Sequence, residues 1–275
     1  MRFSTLLVTL LPYYVNSAAL PIPTQLTGNS FTLKYDQARY ELGNGSKFWT
    51  RTYFPSDTDR VCTAASPCSE VLNPTIIMTP GETLSMVLDN SLGDDPVGQD
   101  LTINTFHSPN TTNLHTHGLH ITSVNPGDDV FNEVPPGTTF THIYELPSDH
   151  AGGTHWYHAH HHGSTALQAG GGAAGLLIVK DTEGDIPASV FDAPEVAMMV
   201  LNLPLDDLST LATEAADTLT SVGLEVGTAG ANLLLANGAY QPTIDIAAKT
   251  PTRVRFAFGA INQFVELTLS DAGCE

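Results

Sequence analysis

Basic residues are scarce in this chain of 275 residues. Ten lysines and arginines stand against 29 aspartates and glutamates, which gives a net charge of −19. A surface this acidic disfavours nucleic acid and anionic membranes, because both partners are polyanions. Long apolar runs are also missing, since no segment after the N-terminus reaches the roughly 18 apolar residues that a membrane-spanning helix needs. We therefore predict no nucleic-acid partner and no membrane span.

Cysteine is rare, with three residues in the whole chain. Cys62 and Cys68 bracket a turn-like segment and could close a small disulfide loop, worth about 2 kcal/mol in an oxidising compartment. Cys274 is left over with no assigned partner, and an odd cysteine is unusual in a complete secreted protein. The strand-rich sequence around it also stops without a closing segment. We therefore expect the chain to be the front portion of a longer protein.

The N-terminus has the composition of a secretory signal. Arg2 supplies the positive charge, "LLVTLLPYYV" the apolar core, and "VNSAAL" the small residues that suit cleavage. A buried N-terminal strand is the alternative interpretation. Glycosylation sequons at Asn44 and Asn110 are compatible with secretion, although such triplets also arise by chance. We predict a signal peptide over residues 1–18 and a secreted, extracellular protein.

Apolar periodicity predicts an all-β fold. Alternating runs such as "TLSMVLDN" and "FTHIYEL" indicate strands with one buried face, and turn residues separate them at the intervals of a β-sandwich. The continuously apolar runs "GLLIVK" and "VAMMVLNL" are typical of strands buried on both faces. Only Leu205 to Leu219 permits a helix.

A polar, small-residue segment from Lys180 to Glu195 indicates a domain boundary. The block before it has the normal size of one domain, whereas the 80 residues after it are short for a second sandwich. The predicted division is a complete domain over residues 19–183, a linker over 184–195 and a partial domain over 196–275.

Histidine is absent from most of the chain, because all eleven residues fall between positions 107 and 162. Two pairs with one intervening residue stand out, His115 with His117 and His158 with His160. On a strand, residues two apart project from the same face, about 6.5 to 7 Å from each other. Two such strands side by side could surround a metal with four imidazoles, which are common ligands of copper and zinc.

The remaining histidines receive less specific interpretations. Strand parity would also allow His162 to be a ligand, whereas His161 would point away. Trp156 and Tyr157 are expected to pack in the core. Surface or supporting positions are expected for the other five histidines, His107, His120, His142, His150 and His155.

The motif "NLHTHGLH" followed by "GGTHWYHAHHHGSTALQAGGGAAGLLIV" resembles the first two copper-binding motifs of the multicopper oxidases, the laccase and cuprous-oxidase group. The segments "PGETLSMVLDNSL" and "VPPGTTFTHIYELPSDH" are similar to the amino-terminal cupredoxin domain of that family. "LLLANGAYQPTIDI" is similar to the opening of its second domain. The resemblance implies cupredoxin-like Greek-key β-sandwiches, one complete and one partial.

The resemblance also implies roles for individual residues. His115 would bind the type 2 copper, and His117, His158 and His160 would bind the type 3 coppers. Asp128, in "DDVF", is the best match for the acidic residue that relays protons to oxygen, although an aspartate follows it where the family has glycine. Asp128 is equally well interpreted as a simple turn residue.

The later copper motifs of the family are absent, since no histidine follows His162 and Cys274 has no histidine beside it. The resemblance as a whole implies a secreted copper oxidoreductase that oxidises phenolic or metal-ion reductants and reduces dioxygen to water. In this interpretation the chain is an N-terminal fragment, inactive alone, that needs the missing cupredoxin domains to complete its site. The alternatives are a non-catalytic secreted copper-binding module and a zinc-binding β-domain.

Overall fold

A computed structural model describes residues 18–57, 62–98, 100–102, 104–214 and 232–268. The predicted signal segment, apart from its last residue, and Cys274 lie outside these ranges. Within them the chain is nearly all β, as predicted. The strands are β1 (Gln25–Leu26), β2 (Ser30–Glu41), β3 (Lys47–Pro55), β4 (Thr75–Met78), β5 (Thr83–Asn90), β6 (His115–His117), β7 (Thr139–Glu145), β8 (Gly153–His158), β9 (Ala174–Val179), β10 (Glu195–Pro204), β11 (Asn232–Ala236), β12 (Ala239–Tyr240) and β13 (Arg253–Gly259).

Three short helices accompany the described strands: α1 (Thr165–Gly170), α2 (Ala188–Phe191) and α3 (Leu205–Glu214). The third confirms the first ten residues of the helix predicted at Leu205, and the rest of that prediction lies outside the described residues. In the described ranges, none of the helices has the length and apolar content that a bilayer crossing requires.

Two sheets face each other across the first core. One has the strand order β1-β4-β9-β8-β6 and the other the order β3-β2-β5-β7, and each mixes parallel and antiparallel pairs. The alternation predicted in β5 is present, because Leu84, Met86 and Leu88 are buried while the residues between them are only partly so. These side chains meet Leu177 and Val179 of β9 in one apolar cluster.

A third sheet, of order β12-β11-β10-β13, covers the other face of β9. Leu176 and Ile178 of β9 join Met199 and Leu201 of β10 in a second apolar cluster. Successive residues of β9 thus point into two different cores, which explains why its whole sequence is apolar. The α2 helix falls within the segment predicted as a linker, and the division into domains at residues 184–195 stays a prediction.

Charged side chains tie the third sheet to the end of β9. Arg253 and Arg255 of β13 both contact the carboxylate of Asp181, and Arg255 Nε also donates to Glu195 Oε2 at 2.6 Å. The side chains of Asp181 and Arg255 are 7% and 5% exposed. The hydrogen bond from Arg253 is the main reason why the pKa of Asp181 lies below its ordinary value, so this carboxylate is ionised at neutral pH.

The structure shows the state of the cysteine pair and of the two glycosylation sequons. Cys62 and Cys68 form a disulfide. The sequon at Asn110 is buried, and its side-chain oxygen accepts hydrogen bonds from Arg51 while its amide nitrogen donates to the carbonyl of Gly93. Of the two sequons, only Asn44 lies partly exposed, in the turn between β2 and β3.

Candidate metal centre

The paired strands β6 and β8 bring the two histidine motifs together. They run antiparallel at the edge of the first sheet, with His115 opposite His158 and His117 opposite Trp156. Because neighbours across a ladder point to the same side, all four side chains share one face of the sheet. Within the described ranges, His115, His117 and His158 place one nitrogen each within 4.8 Å of the others, a spacing that a metal ion can bridge.

His160 joins this group from outside the strand, because β8 ends two residues earlier. Its backbone nitrogen donates to the side-chain oxygen of Asn113 at 2.8 Å, which fixes the chain there. Its ring centroid lies 5.3 Å from that of His115 and 5.6 Å from that of His158. The four predicted ligands are therefore neighbours in the structure, and their binding of a metal stays a prediction.

His158 has the electronic state that a metal ligand requires. Its Nδ1 lies 3.0 Å from the carbonyl oxygen of Ala159, so this nitrogen carries the proton and donates it. Its Nε2 is buried, and none of the described residues forms a hydrogen bond with it. Burial, together with the nearby His115 and His160, lowers the pKa of His158 to about 4, although the hydrogen bond to Ala159 opposes the shift. The imidazole is thus neutral at pH 7, with a free lone pair that a metal would satisfy.

Asp128 is 8% exposed, and its carboxylate contacts His115 and Thr116 of the first histidine motif. Its carboxylate accepts hydrogen bonds from Thr116 N at 3.1 Å and Thr116 Oγ1 at 2.9 Å, and its Oδ2 lies 2.9 Å from His115 Nδ1. Burial would raise the pKa of Asp128, but these contacts with His115 and Thr116 outweigh it and keep the pKa below its ordinary value. A carboxylate in this position orients His115 and leaves its other nitrogen for a metal.

Asp128 therefore does more than form a turn, although its role as a proton relay stays a prediction. Sequence reasoning missed Thr116, whose position between the two histidines was the available signal. It also assigned Trp156 to the core alone, whereas its indole stacks on two of the clustered imidazoles. Tyr157 is buried in the core as expected, with its hydroxyl donating to the carbonyl of Pro74.

Replacing Asp128 with asparagine is expected to weaken copper binding by about 10- to 100-fold, the usual effect of removing a carboxylate that supports a ligating histidine. Competition titration against a chelator measures this affinity. Asp129→Asn is the control, because that neighbouring side chain only accepts a hydrogen bond from Phe131 N. Equal affinities for the Asp128→Asn and Asp129→Asn variants would contradict the assigned contact.

His162 does not join the cluster, which corrects the inference from strand parity. Because β8 ends at His158, the alternation does not extend to this residue. His162 is exposed and lies 6.3 Å, between ring centroids, from His107, which also packs edge-on against the buried His161. His161 points away from the cluster as predicted, toward Ser164 and Glu133.

The other histidines contribute no ring to the candidate centre, although His155 forms a hydrogen bond with the backbone of His117. Both ring nitrogens of His150 are occupied, one by the backbone nitrogen of His120 and the other by the carbonyl of Ala151. His155 packs against His150, with ring centroids 5.8 Å apart. His142 is fully buried on the inner side of β7, which excludes the surface position and leaves the supporting one of the two expected.

The burial of His142 has a consequence for pH. Burial lowers its pKa below 6.5, opposed by a contact with the carbonyl of Gly127 and by the charge of Asp128. The unfolded chain then binds a proton below about pH 6.5 that the folded chain does not, so acidification destabilises the metal-free protein. Between pH 7 and pH 5 the unfolding free energy of the wild type falls with pH. We expect His142→Leu to reduce this slope by up to about 1.4 kcal/mol per pH unit, measured by urea unfolding. Identical pH slopes for variant and wild type would contradict this assignment.

Comparison with known proteins relates the segment that carries this histidine cluster to a protein family. Residues 96–184 match the sequence profile of the family described as multicopper oxidase. The matched segment contains the four clustered histidines, Asp128 and Trp156.

Solved structures of multicopper oxidases are similar to this chain in fold. McoA multicopper oxidase from the hyperthermophile Aquifex aeolicus is 19% identical, with a TM-score of 0.56 over 87% of this chain and 46% of that one. Laccase from Pediococcus acidilactici gives 19% identity and a TM-score of 0.56 over 87% and 45%. The multicopper oxidase from Campylobacter jejuni, described as a metallo-oxidase, gives 20% and 0.53 over 88% and 46%. This chain thus spans about half the length of these enzymes.

The two kinds of similarity support different statements. Identities near 20% establish a common cupredoxin-type architecture, and the sequence profile covers the part of the chain that carries the histidine cluster. The chain therefore has the cupredoxin-like β fold, and its residues 96–184 match the multicopper oxidase family model.

Proposed function

We propose that this chain supplies part of the copper centre of a laccase-like multicopper oxidase. Such an enzyme couples the oxidation of a phenolic or metal-ion reductant to the reduction of dioxygen to water. The observation that carries the proposal is the buried, unpartnered Nε2 of neutral His158, which faces His115 and His117 in the segment that matches the family. Bound copper would supply the one-electron redox chemistry and the sites for oxygen.

The residues of this chain have distinct tasks in the proposal. His115, His117, His158 and His160 hold the metal ions, and the hydrogen bonds of His158 and the contacts of Asp128 orient two of these rings. Asp128 stays ionised beside His115, so it can accept a proton and pass it toward reduced oxygen.

The cluster is open on one side. In the described ranges β6 is the edge strand of its sheet, with no further strand beyond it. Four imidazoles leave a multinuclear copper centre short of ligands, because each copper takes about three or four. We propose that a further cupredoxin domain docks here and brings the missing ligands together with the type 1 copper that accepts electrons from the reductant.

Copper loading of the chain tests the proposal. We expect a paramagnetic copper signal without an intense blue absorption band, and no oxygen consumption with a phenol. Absence of copper binding would contradict the proposal, and stronger binding of zinc would favour the zinc-binding alternative. A blue band or phenol oxidation by this chain alone would contradict the proposed division of ligands between domains.

The sequence of the transcript beyond Glu275 separates the two remaining alternatives. A downstream segment encoding a cysteine flanked by histidines would support an oxidase whose later domain completes the centre. A stop codon at that point would favour a non-catalytic copper-binding module.

We also propose that the protein is secreted. Arg2 and the apolar residues after it support export, and the Cys62–Cys68 disulfide is typical of an oxidising compartment. N-terminal sequencing of protein recovered from the medium is expected to begin near Ala19. Retention of the intact N-terminus inside the cell would contradict secretion.

A further inference from the structure

We propose that Trp156 is a positioning residue for the copper ligands and that the third sheet holds it in place. This inference rests on the proposed function, because it concerns how the same histidine cluster is kept ready to bind metal. It assigns the third sheet, remote in sequence from the histidine motifs, a direct influence on the metal centre.

The indole of Trp156 lies nearly parallel to two imidazoles of the cluster. Its ring centroid is 4.3 Å from that of His158 with an angle of 26° between the planes, and 4.9 Å from that of His117 with an angle of 24°. The torsion that rotates an imidazole about its Cβ–Cγ bond is broad and soft. A flat surface against both rings narrows this rotation, so the direction of each nitrogen lone pair depends on Trp156.

His117 depends on this contact more than His158 does. It is exposed and lies on a strand of only three residues, at the edge of the sheet. His158 is buried and is also held by the carbonyl of Ala159. Loss of the indole would therefore release the ring of His117 first, and a ligand that must be ordered on binding lowers the affinity for the metal.

Trp156 is itself held by the third sheet. It packs against the apolar cluster that contains Met199 and Leu201 of β10. A methyl group added at Gly259, the last residue of β13, would lie 3.4 Å from the indole and 2.9 Å from the end of Met199. The absent side chain at Gly259 thus leaves room for the end of Met199, and the indole lies at contact distance from the same space.

A second contact joins β13 to β8, the strand that carries Trp156. Thr154, two residues before Trp156 on the same face of β8, lies 3.4 Å from the guanidinium of Arg255 in β13. Because a strand transmits a displacement along its backbone, β13 restrains β8 at both positions. The third sheet consequently determines where the indole lies and, through it, where two imidazoles point.

Copper titration of tryptophan variants tests the inference. In a Trp49→Phe background, Trp156 is the only remaining tryptophan, and its contact with two ligands predicts strong fluorescence quenching by Cu²⁺. Trp156→Leu is expected to lower the Cu²⁺ affinity about tenfold and to change the copper hyperfine splitting in the EPR spectrum. Trp156→Phe keeps an aromatic surface and is expected to stay within about threefold of wild type.

Gly259→Val adds bulk beside the indole without replacing any residue of the cluster. We expect it to change the EPR spectrum in the direction of Trp156→Leu, whereas Gly43→Ala, at a glycine with open space around it, is expected to leave the spectrum unchanged. Wild-type affinity and spectrum in both Trp156→Leu and Gly259→Val would overturn the inference. If Trp156→Leu does not fold, the spectrum of Gly259→Val decides. Failure of the wild-type chain to bind copper would instead overturn the proposed function.

Discussion

Replacing His158 with alanine is expected to lower the copper affinity of the chain by about 100-fold or more, the largest effect that we expect from any single histidine. This residue combines a buried, unpartnered Nε2 with a pKa of about 4, so it presents a lone pair at neutral pH without competition from protons or from other donors. Competition titration against a chelator at pH 7 measures the affinity, and EPR reports the number of nitrogen ligands.

The matched control for His158→Ala lies in the same motif. His162 is exposed and belongs to a separate group with His107, so His162→Ala is expected to leave both the affinity and the spectrum unchanged. A comparable loss of affinity in the two variants would show that the motif binds copper without the selectivity that the structure assigns to it.

Removal of the Asp181 carboxylate is expected to lower the free energy of unfolding by about 2–3 kcal/mol. The change removes the carboxylate that Arg253 and Arg255 share at the junction of the first and third sheets. The side chain of Arg255 is only 5% exposed. The cost falls below the 3–5 kcal/mol typical of a fully buried pair, because Arg255 keeps its contact with Glu195. Urea unfolding of the metal-free Asp181→Ala variant at pH 7 measures the loss.

Asp185→Ala serves as the comparison for this measurement. Asp185 is exposed four residues further along the chain, and its replacement is expected to change the unfolding free energy by less than about 0.5 kcal/mol. If Asp181→Ala were equally neutral, the ion pairs between the sheets would contribute nothing to stability.

Much of the strand pattern could be predicted from the sequence because burial follows simple periods. In β5, alternate apolar residues face one core. In β9 and β10, continuous apolar runs indicated burial on both faces. The structure confirms this for β9, which lies between two sheets, whereas the first residues of β10 are only partly buried. The sequence did not indicate which sheet would cover the second face of β9, since that choice depends on contacts between segments far apart in the chain.

Part of the candidate site could be predicted for the same reason. His115 and His117 share a face because they lie two residues apart on one strand, a local property that spacing alone determines. The same rule does not extend to His160 or His162, because the strand ends at His158; His160 still lies beside His115, whereas His162 lies beside His107. Local spacing also could not show that the carboxylate of Asp128 would reach His115, which depends on the path of the intervening loop.

The sequence by itself determined the all-β character of this protein, the match of residues 96–184 to the multicopper oxidase family model and the four histidines predicted to bind metal. These follow from periodicity and from a motif whose residues are close in the chain. Only the tertiary structure decided that His158 is neutral with its Nε2 available to a metal, that Asp128 contacts His115 and that the third sheet packs against Trp156. Each of these depends on burial or on contacts between distant segments, and such properties exist only once the sheets have packed together.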